Sequence, residues 1–119
     1  MKKNIYVVED NDDIRELVQY LLESEGLNVE GFANVTDFNK KFEIAKPDML
    51  LLDIMLPDGN GMDVCNKIKA AADTSPIPIL LMSANTNITY INKVSLADDF
   101  IAKPFDIDEL VKKVVHLLN

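Results

Sequence analysis

The sequence predicts an α/β domain, a doubly wound five-stranded parallel sheet in the order 2-1-3-4-5 with helices on both faces. Three observations predict it. Five short β-rich runs alternate with five stretches whose apolar residues recur at helical spacing. The run Met49-Leu50-Leu51-Leu52 is apolar without interruption, as in a strand buried on both faces. No linker, internal repeat or low-complexity tract breaks the alternation, which implies right-handed parallel crossovers. With 119 residues and 48% hydrophobic content, residues 1–119 are expected to be one domain with one core.

Taken in order, residues 5–8 are the first strand. Ile14, Leu17, Val18, Leu21 and Leu22 then recur at helical spacing from a start marked by Asn11, Asp12 and Asp13, and Gly26 ends that helix. Residues 28–32 read as the second strand. Val35, Phe38, Phe42 and Ala45 trace one face of the second helix, which Pro47 closes before a third strand at 48–52. A turn follows at 58–61. Met62, Cys65, Ile68 and Ala72 give the third helix, 74–76 a loop and 77–82 the fourth strand, with Pro78 tolerable near its start. Ile88, Ile91 and Val94 suggest a fourth helix, weaker in pattern. Residues 99–102 form a short fifth strand, and Ile107, Leu110, Val111, Val114 and Leu118 carry a closing helix.

Charge and cysteine usage exclude several function classes. A net charge of -8 works against nonspecific binding to a phosphate backbone or an anionic membrane, so neither nucleic acid nor membrane is expected as a direct partner. The single cysteine, Cys65, reads as a small buried apolar residue, without an internal disulfide or a CxxC neighbour. The N-terminal apolar run stops at Glu9 and Asp10, which suits neither a signal peptide nor a transmembrane helix. A cytoplasmic setting is the simplest inference.

In this strand order the first and third strands lie side by side at the switch point, where ligands of open α/β sheets bind. Glu9 and Asp10 therefore converge on Asp53, with Ser83 after the fourth strand and Lys103 after the fifth on the same edge. Each residue alone has an ordinary use. Aspartates start loops, serines cap helices, lysines stand in solvent, and acidic residues favour helix N-termini. Their joint occurrence at matching strand ends carries the signal. Two carboxylates about 4 Å apart repel by roughly 4 kcal/mol at an effective dielectric of about 20, so three together need a cation or a proton.

An all-oxygen donor set favours a hard ion, magnesium before calcium. Such an ion would orient an incoming phosphoryl group and offset its charge, letting the Asp53 carboxylate attack phosphorus in line to give an aspartyl phosphate. Lys103 offers a point charge and Ser83 a hydroxyl to the phosphoryl oxygens. Other phosphate motifs do not fit. Gly59-Asn60-Gly61 lacks a third glycine, no GxxxxGK[ST] occurs, and Asp53-Ile54-Met55 lacks the second aspartate of a haloacid-dehalogenase-type phosphatase. His116, the single histidine, falls in the last helix, away from the strand edge.

Glu9-Asp10, Asp53 within Leu-Leu-Leu-Asp-Ile-Met-Leu-Pro-Asp-Gly-Asn-Gly-Met, Ser83-Ala84 and Phe100-Ile-Ala-Lys103-Pro104-Phe105 together resemble the receiver domain of two-component response regulators, over essentially the whole chain. The resemblance implies a flavodoxin-like fold and a phosphoryl group donated from histidine by a histidine kinase or phosphotransfer protein to Asp53. It implies magnesium, with manganese as a substitute, held by Glu9, Asp10, Asp53 and the backbone carbonyl of Met55. Lys103 and Ser83 would bind the phosphoryl group, and Phe100 would swing inward as Ser83 moves. Met55 and Asn85, each two residues beyond a site residue, would flank the phosphoryl group and tune its lifetime. The Lys103-Pro104 bond matches a cis position.

Such a domain catalyses its own phosphorylation and dephosphorylation without being a conventional enzyme. It is expected to signal through the fourth helix, fifth strand and fifth helix to a downstream protein or its own effector domain. A phosphorylation-dependent homodimer would pair Asp98 and Asp99 with Lys112 and Lys113 of a second copy. Two departures stand out: Leu96 where the family often has glycine, and lysines where the paired receivers often carry arginine. The sequence ends just after the closing helix, so the domain either acts alone or belongs to a longer regulator. The first alternative is an interaction module of the same fold that never accepts phosphate. The second, a flavin or nucleotide carrier, conflicts with the acidic loop Glu9-Asp10-Asn11-Asp12-Asp13.

Overall fold

A computed structural model describes residues 2–84, 90, 91, 93 and 95–119. Five strands form one parallel sheet: β1 (Asn4–Val8), β2 (Asn28–Phe32), β3 (Met49–Asp53), β4 (Ile79–Ser83) and β5 (Asp99–Ala102), in the order β2-β1-β3-β4-β5. The helices whose bounds fall within the described residues are α1 (Asp12–Ser24), α2 (Val35–Ile44), α3 (Gly61–Ala70) and the C-terminal α4 (Ile107–Leu118). Tyr90, Ile91 and Lys93 are helical where the fourth helix is expected; Ile88 and Val94 lie outside the described residues.

Sequence chemistry explains the boundaries. Each of these four helices starts on an Asn or Asp whose side chain accepts a backbone N–H of the first turn: Asn11, Asn34, Asn60 and Asp106. Gly26, with φ +83°, ends α1, its N–H bonding the Glu23 carbonyl and that of Leu27 the Leu22 carbonyl, so both orphan carbonyls are satisfied. The third helix stops at Ala70, short of the expected Ala72. The Thr74 hydroxyl takes the Ile68 carbonyl at 2.7 Å and Ser75 N–H the Ala71 carbonyl at 2.8 Å, which turns the chain. That turn also absorbs Ile77, so the fourth strand begins at Ile79 instead of residue 77.

Alternate strand residues feed two cores. On one face Ile5, Val7, Met49, Leu51, Leu80 and Met82 pack with Val18 and Leu22 of α1 and Leu110 and Val114 of α4. On the other, Tyr6, Val8, Leu50, Leu52 and Leu81 pack with Phe32, Phe38, Cys65, Ile68 and Phe100. All five residues of β3 are buried, the consequence of lying at the sheet centre under helices on both sides. Leu17 and Ile107, expected on apolar helix faces, are instead exposed.

Candidate functional site: an acidic cluster at the carboxyl edge of the sheet

Because β1 and β3 are neighbours, with Val8 paired to Leu52, the residues that follow them emerge side by side. Glu9, Asp10 and Asp53 offer carboxylate oxygens that all lie within 4.8 Å of one another. Glu9 is fully buried, Asp53 nearly so, and Asp10 exposed. Lys103, which directly follows the end of β5 and is joined to Pro104 by a cis peptide bond, places its Nζ on Glu9 Oε1 and 3.1 Å from Asp53 Oδ2. Burial pushes the Lys103 ammonium down, but the hydrogen bond to Glu9 and the charges of Asp53 and Glu9 offset it, and the net direction is up.

Three carboxylates against one ammonium leave a net charge of -2, and every donor is oxygen. Such a set suits a hard divalent cation. Ser83, buried at the end of β4, accepts the Lys103 N–H on its backbone carbonyl at 2.8 Å. Phe100 pairs with Leu81 in register and is already buried in the aromatic core. Met55 is 79% exposed beside the site, and Asn85 lies outside the described residues.

Three residues that sequence reasoning missed fasten the chain around this cluster. Arg15 of α1 donates through Nη1 to the Glu9 carbonyl at 2.8 Å and through Nη2 to Asp12 at 2.6 Å. Its stem lies over Gly31, where an added Cβ would stand 3.0 Å from Arg15 Cδ. Gly61 lies so close to the end of β3 that a Cβ there would overlap the Asp53 carbonyl, 2.8 Å from its carbon and 2.9 Å from Ile54 Cα. Here glycine is required by close approach.

The third is Asp58. Between Asp53 and Gly61 the chain folds into a small antiparallel ribbon, Met55–Leu56 against Gly59–Asn60, in place of the simple turn expected at 58–61. From its tip, Asp58 accepts the N–H groups of Val35 and Thr36 at 2.8 and 2.9 Å and the Thr36 hydroxyl at 2.6 Å. The Thr36 hydroxyl, then the two N–H groups, hold the Asp58 carboxyl below its ordinary value. A glycine pair and an aspartate in a turn give no sequence signal for such long-range contacts.

The sheet order and the acidic cluster with its lysine define a doubly wound α/β domain with a charged site at its switch point. Comparison with known proteins makes this specific. The response regulator receiver domain family matches residues 5–115, and the chain belongs to that family. It is 37% identical over 120 residues to the transcriptional regulatory protein CssR of Bacillus subtilis, covering 100% of this chain and 52% of CssR. It is 35% identical over 116 residues to the DNA-binding response regulator MtrA of Mycobacterium tuberculosis, covering 96% of this chain and 50% of MtrA. The chain thus spans about half the length of these relatives. Among solved structures, the signal receiver domain of a signal transduction histidine kinase from Syntrophus aciditrophicus superposes with a TM-score of 0.89 at 27% identity, over 98% of this chain and 89% of that one.

Proposed function

We propose that Asp53 is the phosphoacceptor of this receiver domain, and that a histidine kinase or phosphotransfer protein is its donor. The observation that carries the reading is the buried Asp53 carboxylate, sharing Lys103 with Glu9 and standing within 4.8 Å of the carboxylate oxygens of Glu9 and Asp10. An Asp53 oxygen attacks phosphorus as the P–N bond to the donor imidazole breaks, the electron pair leaving with the nitrogen. Lys103 then turns its charge to a phosphoryl oxygen and Ser83 donates its hydroxyl to another. Glu9, Asp10, Asp53 and the Met55 carbonyl would hold magnesium or manganese, which supplies charge neutralisation and orientation for the transfer.

The phosphoryl group, which carries a charge of about -2 where the carboxylate carried a single negative charge, recruits Ser83 and Lys103 and biases the packing of Phe100, which alters the surface of β5 and α4 and of the segment between β4 and β5. Met55 and Asn85 set how readily water reaches the phosphoryl group. Downstream, the partner is a target protein or an attached effector domain, in a cytoplasmic setting; among the described residues no helix is long and apolar enough to cross a membrane. A phosphorylation-dependent homodimer is subordinate, since Asp98 already pairs with Lys69 at 2.7 Å and Asp99 with Lys113 at 3.0 Å within the chain.

Intact mass after incubation with acetyl phosphate and magnesium tests the assignment. One phosphoryl increment is expected, lost in Asp53→Asn and without magnesium. An increment retained in Asp53→Asn would sink it. Should rapid self-hydrolysis hide the increment, beryllofluoride is expected to shift the resonances of Ser83 and Phe100, and no shift would favour a phosphate-independent module.

A further inference from the structure

Asp58 is exposed and touches none of the site carboxylates, yet it makes three hydrogen bonds to a helix more than twenty residues away in sequence. Val35 and Thr36 are the first two residues of α2, and their N–H groups have no partner within the helix. Asn34 satisfies the third, on Asp37, at 2.7 Å. Asp58 therefore completes the α2 cap from a distance, with its negative charge at the positive end of the helix. Gly59 adds contact: a Cβ there would stand 3.1 Å from Val35 Cγ2.

The same short segment is fixed at its other end by the Gly61 N–H on the Ile54 carbonyl at 2.7 Å, and Met55 lies between the two anchors, paired with Asn60. We propose that Asp58 is a positioning residue for the metal site: by tying the ribbon to α2 it fixes where Met55 presents its carbonyl, so magnesium binding and the docking of the α2 N-terminus are thermodynamically linked. The inference rests on the magnesium site proposed above. Linkage is reciprocal, so whatever α2 docking contributes to metal affinity, metal returns as protection of the α2 cap. A ligand that bears on α2 would thereby adjust the phosphorylation site without touching it.

The test titrates magnesium into the whole chain by calorimetry and follows amide exchange at Val35 and Thr36 by NMR, for the wild type, Asp58→Asn and Thr36→Val. In the wild type, saturation with magnesium is expected to slow exchange at both amides. Asp58→Asn should weaken magnesium binding about tenfold, the low end for residues that orient metal ligands, and abolish the magnesium-dependent slowing. Thr36→Val, which removes one of the three bonds, should fall between. A merely structural cap predicts faster exchange in Asp58→Asn with unchanged magnesium affinity, and that result overturns the linkage. A wild type that takes up no magnesium would overturn the metal site itself, and this inference with it. The wild-type titration separates the two failures.

Discussion

The loop after β1 and the loop after β3 aim carboxylates at one point, yet the first is fastened to the helix it leads into and the second to a helix that precedes it in the chain. Glu9 is held by its N–H on the Phe32 carbonyl at 2.9 Å, by Arg15 of α1 on its own carbonyl, and by the Asn11 N–H on Oε2 at 3.2 Å. All but one of those partners lie within six residues. The ribbon after Asp53 is held by Asp58 on α2 and by the tight approach of Gly61. Lys103 reaches both carboxylates from the far end of the sheet, so the contrast lies in the loops: the one after β1 is fastened mainly by local partners, the one after β3 by a contact with α2.

The largest test of that contrast is Gly61→Ala. The new methyl meets backbone, which cannot rotate away, so a loss of about 3 kcal/mol in denaturant unfolding is expected, together with loss of the phosphoryl mass gain. A near-neutral result would mean that the two ends of the segment are not pinned. Arg15→Ala comes next, at about 1.5 kcal/mol, from the charged bond to the Glu9 carbonyl and the stem packed on Gly31. Exchange at Val35 and Thr36 should stay unchanged in that variant; if it rises, the two loops do not act independently.

Gly59→Ala should cost less, about 1 kcal/mol, because its Cβ meets the Val35 side chain, which can give way. The smallest effect is a pH dependence. The Asp58 carboxyl is lowered from its ordinary 3.8, so the stability it contributes is complete above that value and lost as pH falls through the lowered one. An NMR titration should show the Val35 and Thr36 amides shifting in that acid window, and Asp58→Asn should remove the transition. A transition that persists in Asp58→Asn would assign it to another carboxylate.

Much of this was legible in the residues. The continuous apolar run at 49–52, bounded by turn residues, announces a strand buried on both faces, and alternation of such runs with amphipathic helices points to a parallel sheet, although the fourth strand starts two residues later than the expected 77–82. Once the strand order is set, Glu9, Asp10 and Asp53 must converge, and they do. Strand ends were less legible. Asp53 and Ser83 were expected just past the last residues of their strands, but their pairing with Met82 and Ala102 draws them into the ladder. Arg15, Asp58 and Gly61 were missed for one shared reason. Each acts on a group distant in sequence or on the backbone, so its type alone suggests only a surface ion pair or a turn.

Cys65 sits one turn into α3, wholly buried against the aromatic core, and burial raises its thiol to about 11. A thiol that is both shielded and protonated at neutral pH reacts only when its helix lifts away. As the single cysteine of the chain, it is a chemical clock already built into the helix that begins at Gly61. The rate at which a thiol reagent captures it counts the openings of α3, and a change in that rate on treatment with acetyl phosphate would time how far the phosphorylation proposed at Asp53 loosens or tightens the helix behind it.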